Sequence, residues 1–234
     1  MAGNANVSGN GGGGEDEVGI IVVDGKEGSF NVSANGGAGD DVLTQDLMAM
    51  DAKVTLACLG GLGNDSLSQK VELAASSSRR SVKISGDGGA GIDALFAETT
   101  HAPVPEPRVQ QGATTNLVVS LAGGGGDDMV EWVFDGPAEA VQHTRVRARL
   151  DGGDGDDLVN ADFAEGILAD PPDPDRPILS LLGGNGDDQL GIIVIDGIID
   201  PDQLPWIVDG GAGIDEALVP GGLRTRRCEL VIEF

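Results

Sequence analysis

Carboxylates return in this chain to one fixed place, the sixth residue of a glycine-rich turn. The turns read Gly11-Gly12-Gly13-Gly14-Glu15-Asp16, Gly36-Gly37-Ala38-Gly39-Asp40-Asp41, Gly60-Gly61-Leu62-Gly63-Asn64-Asp65 and Gly88-Gly89-Ala90-Gly91-Ile92-Asp93. They continue with Gly123-Gly124-Gly125-Gly126-Asp127-Asp128, Gly152-Gly153-Asp154-Gly155-Asp156-Asp157, Gly183-Gly184-Asn185-Gly186-Asp187-Asp188 and Gly210-Gly211-Ala212-Gly213-Ile214-Asp215. Each copy is G-G-x-G-x-D. Further acids crowd the same turns, and Asp87, Asp151 and Asp209 stand immediately before three of them. Carboxylates so placed have two chemistries open to them. They can cap the backbone N–H groups that a tight turn leaves unpaired, or they can offer hard oxygen ligands to a cation. Cys and His are missing from the motifs, which argues against zinc.

The elements that must position these turns follow from their spacing. Successive final aspartates lie 25, 24, 28, 35, 29, 31 and 27 residues apart. Such a period marks a solenoid, whose units bury an apolar face only by stacking. Nine residues before the final Asp stand Val32, Leu56, Ile84, Val119, Ala148, Leu179 and Trp206. Seven before it stand Ala34, Cys58, Gly86, Leu121, Leu150, Leu181 and Val208, and eleven before it Phe30, Val54, Val82, Leu117, Val146, Pro177 and Leu204. Apolar residues two apart define a strand with one face inward. Lys53, Thr55, Lys83, Arg145, Arg147 and Arg149 then face water.

Two residues after the Asp come Val18, Leu43, Leu67, Leu95, Val130, Val159 and Leu190, with Leu218 taken as the slipped equivalent in the last copy. This predicts a second strand entered directly from the turn. Ile20 to Gly25, Val71 to Leu73, Trp132 to Gly136 and Ile192 to Gly197 read as a third β-rich piece. The expected fold class is all-β, a parallel β-solenoid of about eight rungs. At about 4.8 Å per rung the rod is on the order of 40 Å long. The only helical candidate is the short stretch Leu47 to Lys53. Proline-rich insertions around Pro103 and Pro171 leave the columns in phase on either side, so residues 10–234 read as one domain after a flexible 1–9.

Composition narrows the function classes. The chain carries 39 Asp and Glu against 14 Lys and Arg, a formal net charge of −25. That field repels nucleic acid and anionic membranes, and it opposes compaction unless cations neutralise it. No apolar run approaches the length of a membrane-spanning helix, and the start has neither the basic nor the apolar region of a signal peptide. Two cysteines, Cys58 in an inward column and Cys228 in the last strand, give no disulfide framework. The histidines His101 and His143 have no repeated partners, and no nucleophile elbow, Walker loop or zinc-protease motif is present. The expectation is a non-enzymatic protein. Arg145, Arg147 and Arg149 alternate outward, which leaves a carbohydrate-directed role as the alternative, without an aromatic platform for sugar stacking.

The motif, with Leu or Val following its Asp after one residue, resembles the hemolysin-type (RTX) calcium-binding repeat from about Gly11 to Leu218. The resemblance implies calcium between stacked turns, held by turn carbonyls and the final carboxylates. Calcium suits such a site because it accepts six to eight irregular oxygen ligands. The ligand positions it assigns are Asp16; Gly36, Ala38, Asp40 and Asp41; Gly60, Leu62, Asn64 and Asp65; and Gly88, Ala90 and Asp93. In the second half they are Gly123, Gly125, Asp127 and Asp128; Gly152, Asp154, Asp156 and Asp157; Gly183, Asn185, Asp187 and Asp188; and Gly210, Ala212 and Asp215. The family repeat is nine residues long with turns on both sides of a flattened coil. One motif per long rung therefore implies a single row of up to seven ions along one edge, with Ile92 and Ile214 altering the sites beside them. The resemblance also implies export in one step without a cleaved signal, and a calcium-stabilised extracellular rod, filament, matrix or surface-layer block, with a monomeric calcium-binding module as a further alternative. Assembly through the solenoid ends is expected, with an extracellular polysaccharide as a further partner. Neither nucleic acid nor membrane insertion is expected.

Overall fold

Alternation between apolar and polar residues becomes alternation between core and surface. In β7 (Thr115–Gly125), Leu117, Val119 and Leu121 are buried while Asn116, Val118 and Ser120 are exposed. β5 (Arg80–Ala90) and β9 (Thr144–Asp154) repeat that pattern. The computed structural model describes residues 3–73, 79–101, 115–136, 144–163, 178–194 and 206–234. Its remaining strands are β1 (Gly3–Gly13), β2 (Glu17–Ala38), β3 (Val42–Leu62), β4 (Ser66–Leu73), β6 (Ala94–His101), β8 (Met129–Asp135) and β10 (Leu158–Phe163). The series ends with β11 (Ile178–Asn185), β12 (Gln189–Val194), β13 (Trp206–Ala212), β14 (Glu216–Val219), β15 (Thr225–Arg226) and β16 (Leu230–Glu233).

Each of the eight motifs joins one strand to a second through its turn, the short last rung of β15 and β16 has no such turn, and every pairing between rungs is parallel. First strands stack so that Val32, Leu56, Ile84, Val119, Ala148, Leu179 and Trp206 are successive partners. Second strands stack Val18, Leu43, Leu67, Leu95, Val130, Val159, Leu190 and Ala217 in the same way. The long β2 and β3 each run from the second face of one rung into the first face of the next. The result is an all-β, two-faced parallel β-solenoid. β1 begins at Gly3, ahead of the solenoid start that the sequence suggests, and pairs with β2 up to Gly13.

Three expectations change. The third β-rich piece is not a separate strand: Trp132 to Asp135 continues β8, and Ile192 to Val194 continues β12. Leu47 to Lys53 lies within β3 rather than a helix. The last motif does not slip: Ala217 is fully buried in the column two after Asp215, and Leu218 points outward. Pro177 and Leu204, placed by the sequence in an inward column, lie outside the described residues.

The core between the two faces is narrow and mostly aliphatic. Its bulk is concentrated where Trp132, Phe134, Phe163 and Trp206 are buried, with the Phe163 and Trp206 rings stacked at 5.1 Å. Arg80, Thr115 and Thr144 form one buried polar column and Gln45 and Gln69 another. Gln69 donates to Gln45 Oε1 at 3.0 Å and Gln45 donates to the Ala57 carbonyl at 2.9 Å, which satisfies both amides.

Candidate functional site

Glycine is required in the turn for two separable reasons, and the sixth motif shows both. Gly153 and Gly155 have φ of +122° and +137°, a region that L side chains avoid. Gly152 has no such constraint. A Cβ there would collide with Asp157 Oδ2 of its own turn, so the first glycine makes room for the aspartate. A Cβ on Gly153 would strike the carbonyl oxygen of Gly124 in the rung before. Close stacking is thus written into the motif.

That stacking threads the final aspartates into a buried ladder. The Asp16 amide donates to Asp41 Oδ1 at 2.8 Å, Asp41 to Asp65 at 2.8 Å, and Asp65 to Asp93 at 2.7 Å. The series continues from Asp93 to Asp128 at 2.7 Å, Asp128 to Asp157 at 2.8 Å, Asp157 to Asp188 at 2.9 Å and Asp188 to Asp215 at 2.9 Å. Each carboxylate from Asp41 to Asp215 therefore caps the amide of the preceding rung. Only one of its oxygens is used. Oδ2 of Asp16, Asp41, Asp65, Asp93, Asp128, Asp157, Asp188 and Asp215 is buried with no hydrogen-bond partner.

A buried carboxylate with one unpaired oxygen holds its proton more tightly. Burial pushes Asp157 up to about 7, and Asp128 and Asp188 up to about 6. Asp65 and Asp93 move in the same direction. In each case the amide hydrogen bond opposes the shift, and the carboxylates of adjoining rungs add to it. Repulsion along the stack is therefore a property of the edge.

A second ladder runs beside the first through the fifth motif position. The Asn64 amide donates to Asp40 Oδ1 at 2.8 Å and the Ile92 amide to Asn64 Oδ1 at 2.8 Å. Asp156 donates to Asp127 at 3.0 Å, Asp187 to Asp156 at 2.8 Å and Ile214 to Asp187 at 2.8 Å. Here each side chain takes the amide of the following rung, and the residues are exposed. Ile92 and Ile214 accept nothing, so each ends a run.

Compared with protein-family models, curated proteins and solved structures, the chain matches none. The likeness to hemolysin-type repeats therefore rests on the motif residues themselves.

The third-position carbonyls assigned as ligands already serve the backbone. Ala38, Leu62, Ala90, Gly125, Asp154, Asn185 and Ala212 accept from the fourth glycine of the preceding rung at 2.7 to 2.9 Å. A carbonyl oxygen has a second lone pair, so this does not exhaust it. Beside each first glycine from Gly60 to Gly183, the rung's own Asp Oδ2 and the first-glycine carbonyl of the next rung both lie close to where a Cβ would stand. Hard oxygens of this kind fit calcium in type. Among the described residues no three Asp, Glu, His or Cys side chains converge on one point, so main-chain oxygens would supply much of any coordination.

Two contributors went unrecognised in the sequence. Glu229 Oε2 accepts the Asp215 amide at 2.8 Å, standing where the next aspartate would stand. The Arg227 carbonyl lies against Gly210 as the Gly210 carbonyl lies against Gly183. Arg227 also pairs with Asp209 at 2.6 Å. Neither residue belongs to a motif copy, and only their place after Asp215 points to them. Of the histidines, His101 is buried with its pKa lowered to about 4 by that burial, and His143 lies outside the described residues.

Proposed function

We propose that this protein is a structural rod whose glycine-aspartate edge takes up calcium, and that the ion stabilises the stacked rungs. The observation that carries the reading is the row of eight buried aspartate oxygens without partners, in a chain of net charge −25. Calcium would neutralise that row, and the residues holding it would be the final aspartates with the neighbouring turn carbonyls. The RTX resemblance points the same way and places the rod outside the cell, where it would act as a fibre, matrix or surface-layer element.

A stiff solenoid with most of its aromatic bulk inside suits a scaffold better than a sugar-stacking groove: both tryptophans are fully buried. The reading is non-enzymatic. A second reading is favoured by the amide that Oδ1 of each aspartate from Asp41 to Asp215 already accepts. In it the aspartates are turn caps, and shared protons rather than ions relieve their repulsion.

Circular dichroism and thermal melting in millimolar calcium and in chelator separate the two. Calcium binding to the folded state alone raises the melting temperature by linkage. A β spectrum and melting temperature indifferent to chelation would reject the ion and leave the capped rod.

A further inference from the structure

The outward side of the first-strand face departs from the charge of the rest of the chain. Each first strand turns side chains outward in the same register, forming rows across the rungs. The rows that pass through Arg145, Arg147 and Arg149 also hold Lys53 and Lys83. Among the described residues they hold no acid from β1 to β13. In a chain with 39 acids and 14 bases this is a marked segregation. β7 contributes Asn116, Val118 and Ser120 on one side of the arginines, and β11 contributes Ile178 and Ser180 on the other. Acids return in the row nearest the turn, where Asp151 pairs with Arg149, and beyond the arginine rows at Glu27 and Asp51, which pair in register on β2 and β3. All three arginines are exposed.

The complementary surface lies on the same molecule. Asp127, Asp156 and Asp187 stack on successive rungs, exposed, with one oxygen each used by an amide. Asp154 stands exposed beside them. These carboxylates repeat at about 4.8 Å, and the arginines along β9 at about 6.8 Å, spacings that long guanidinium side chains can bridge. A guanidinium binds carboxylate through two parallel hydrogen bonds.

We infer that the arginine-bearing sheet face docks onto the acidic turn edge of a second copy of this chain, side against edge. The turn edge lies along the rod and not at its ends, so this contact is independent of end-to-end growth. It does not rest on the calcium reading. Face and edge are different surfaces, so the contact is heterologous and propagates laterally.

Two triple variants test it with the full chain. Arg145→Ser, Arg147→Ser and Arg149→Ser together place at the surface the residue that Ser120 and Ser180 already supply on adjoining strands. Asp127→Asn, Asp156→Asn and Asp187→Asn together keep the ladder acceptor, as Asn64 does naturally. Sedimentation is measured in whichever of calcium or chelator circular dichroism shows the wild type folded, and each variant must give that spectrum. The wild type should associate with rising concentration. Its apparent association constant should fall at least about tenfold as salt rises from about 0.05 to about 0.5 M. Each variant alone should remain monomeric, while an equal mixture should form pairs and stop there, since each partner retains one competent surface. A folded wild type that stays monomeric, or an arginine variant that associates as the wild type does, overturns the inference. If that arginine variant keeps its self-association but loses binding to added polygalacturonate, the face belongs to an anionic glycan.

Discussion

Two carboxylate ladders share one turn and obey different rules. The final aspartates form the buried ladder, each accepting from the rung before, without interruption from Asp41 to Asp215. The fifth-position residues form the exposed ladder, each accepting from the rung after, and Ile92 and Ile214 break it. Burial accounts for the difference. A buried amide left without an acceptor carries its full desolvation cost. At the exposed position water can replace a missing acceptor, so Asp, Glu, Asn and Ile all occur. Of the two ladder positions, the invariant one is the one that water cannot replace.

Neighbouring residues of the sixth motif give the sharpest way to break this comparison. Asp157→Ala should destabilise the protein by about 2 to 3 kcal/mol, because it strands the buried Asp128 amide and leaves a small void. Asp156→Ala removes the acceptor of the exposed Asp187 amide and should cost less than about 1 kcal/mol. Urea denaturation of the two variants in one buffer measures both. Equal losses would mean that burial does not separate the ladders.

Acidity should sharpen the contrast next. In the folded state Asp157, Asp128 and Asp188 titrate near 7, 6 and 6, whereas an unfolded aspartate titrates near ~3.9. Between those values the folded chain binds more protons than the unfolded chain, so stability rises as pH falls. In chelator, the melting temperature should therefore climb from pH 8 toward pH 5, opposite to the trend of salt-bridged carboxylates. Asp157→Asn keeps an acceptor for the Asp128 amide and removes the buried charge. It should raise the melting temperature at pH 8 in chelator, flatten the pH trend, and lower stability in calcium if the ion uses that oxygen. Asp156→Asn should leave the trend unchanged. A chelated wild type that loses stability on mild acidification would show that the buried row is not under repulsive load.

Much of this architecture was legible because strand periodicity and turn chemistry agree. The column nine before each Asp is buried in all seven rungs where it was read. Where the reading failed, size misled it. Ile192 and Ile193 look like the start of a new apolar piece, yet one faces the core and the other is 38% exposed, as neighbours on one strand must be. Leu218 is the larger apolar residue, but register places Ala217 inside, because the turn fixes which parity faces the core. The site was legible as a location and not as a bonding pattern. Spacing alone cannot say that a carboxylate reaches back one rung at the sixth position and forward one rung at the fifth. Glu229 escaped notice for a related reason: it completes the ladder without any glycine turn of its own.

The smallest expected effect tests the exposed ladder by repairing it. Ile92 receives the N–H–accepting oxygen of Asn64 but offers none to the next rung, where Asp127 begins a new run. Its side chain is 60% exposed, so little packing is lost on replacement. Ile92→Asn places an acceptor one rung before the Asp127 amide, in the relation that Asn64 holds to Ile92. It should join the two runs and stabilise the protein by about 0.5 to 1 kcal/mol, the net worth of an added hydrogen bond at a solvated site. Ile214 supplies the control. It is also exposed, at 70%, but the shortened stretch after it, from β15 to β16, carries no glycine-aspartate turn whose fifth amide could be received. Ile214→Asn should therefore add nothing. Denaturation midpoints that move together for both variants would trace the gain to removal of a surface isoleucine, and the exposed ladder would then contribute no stability of its own.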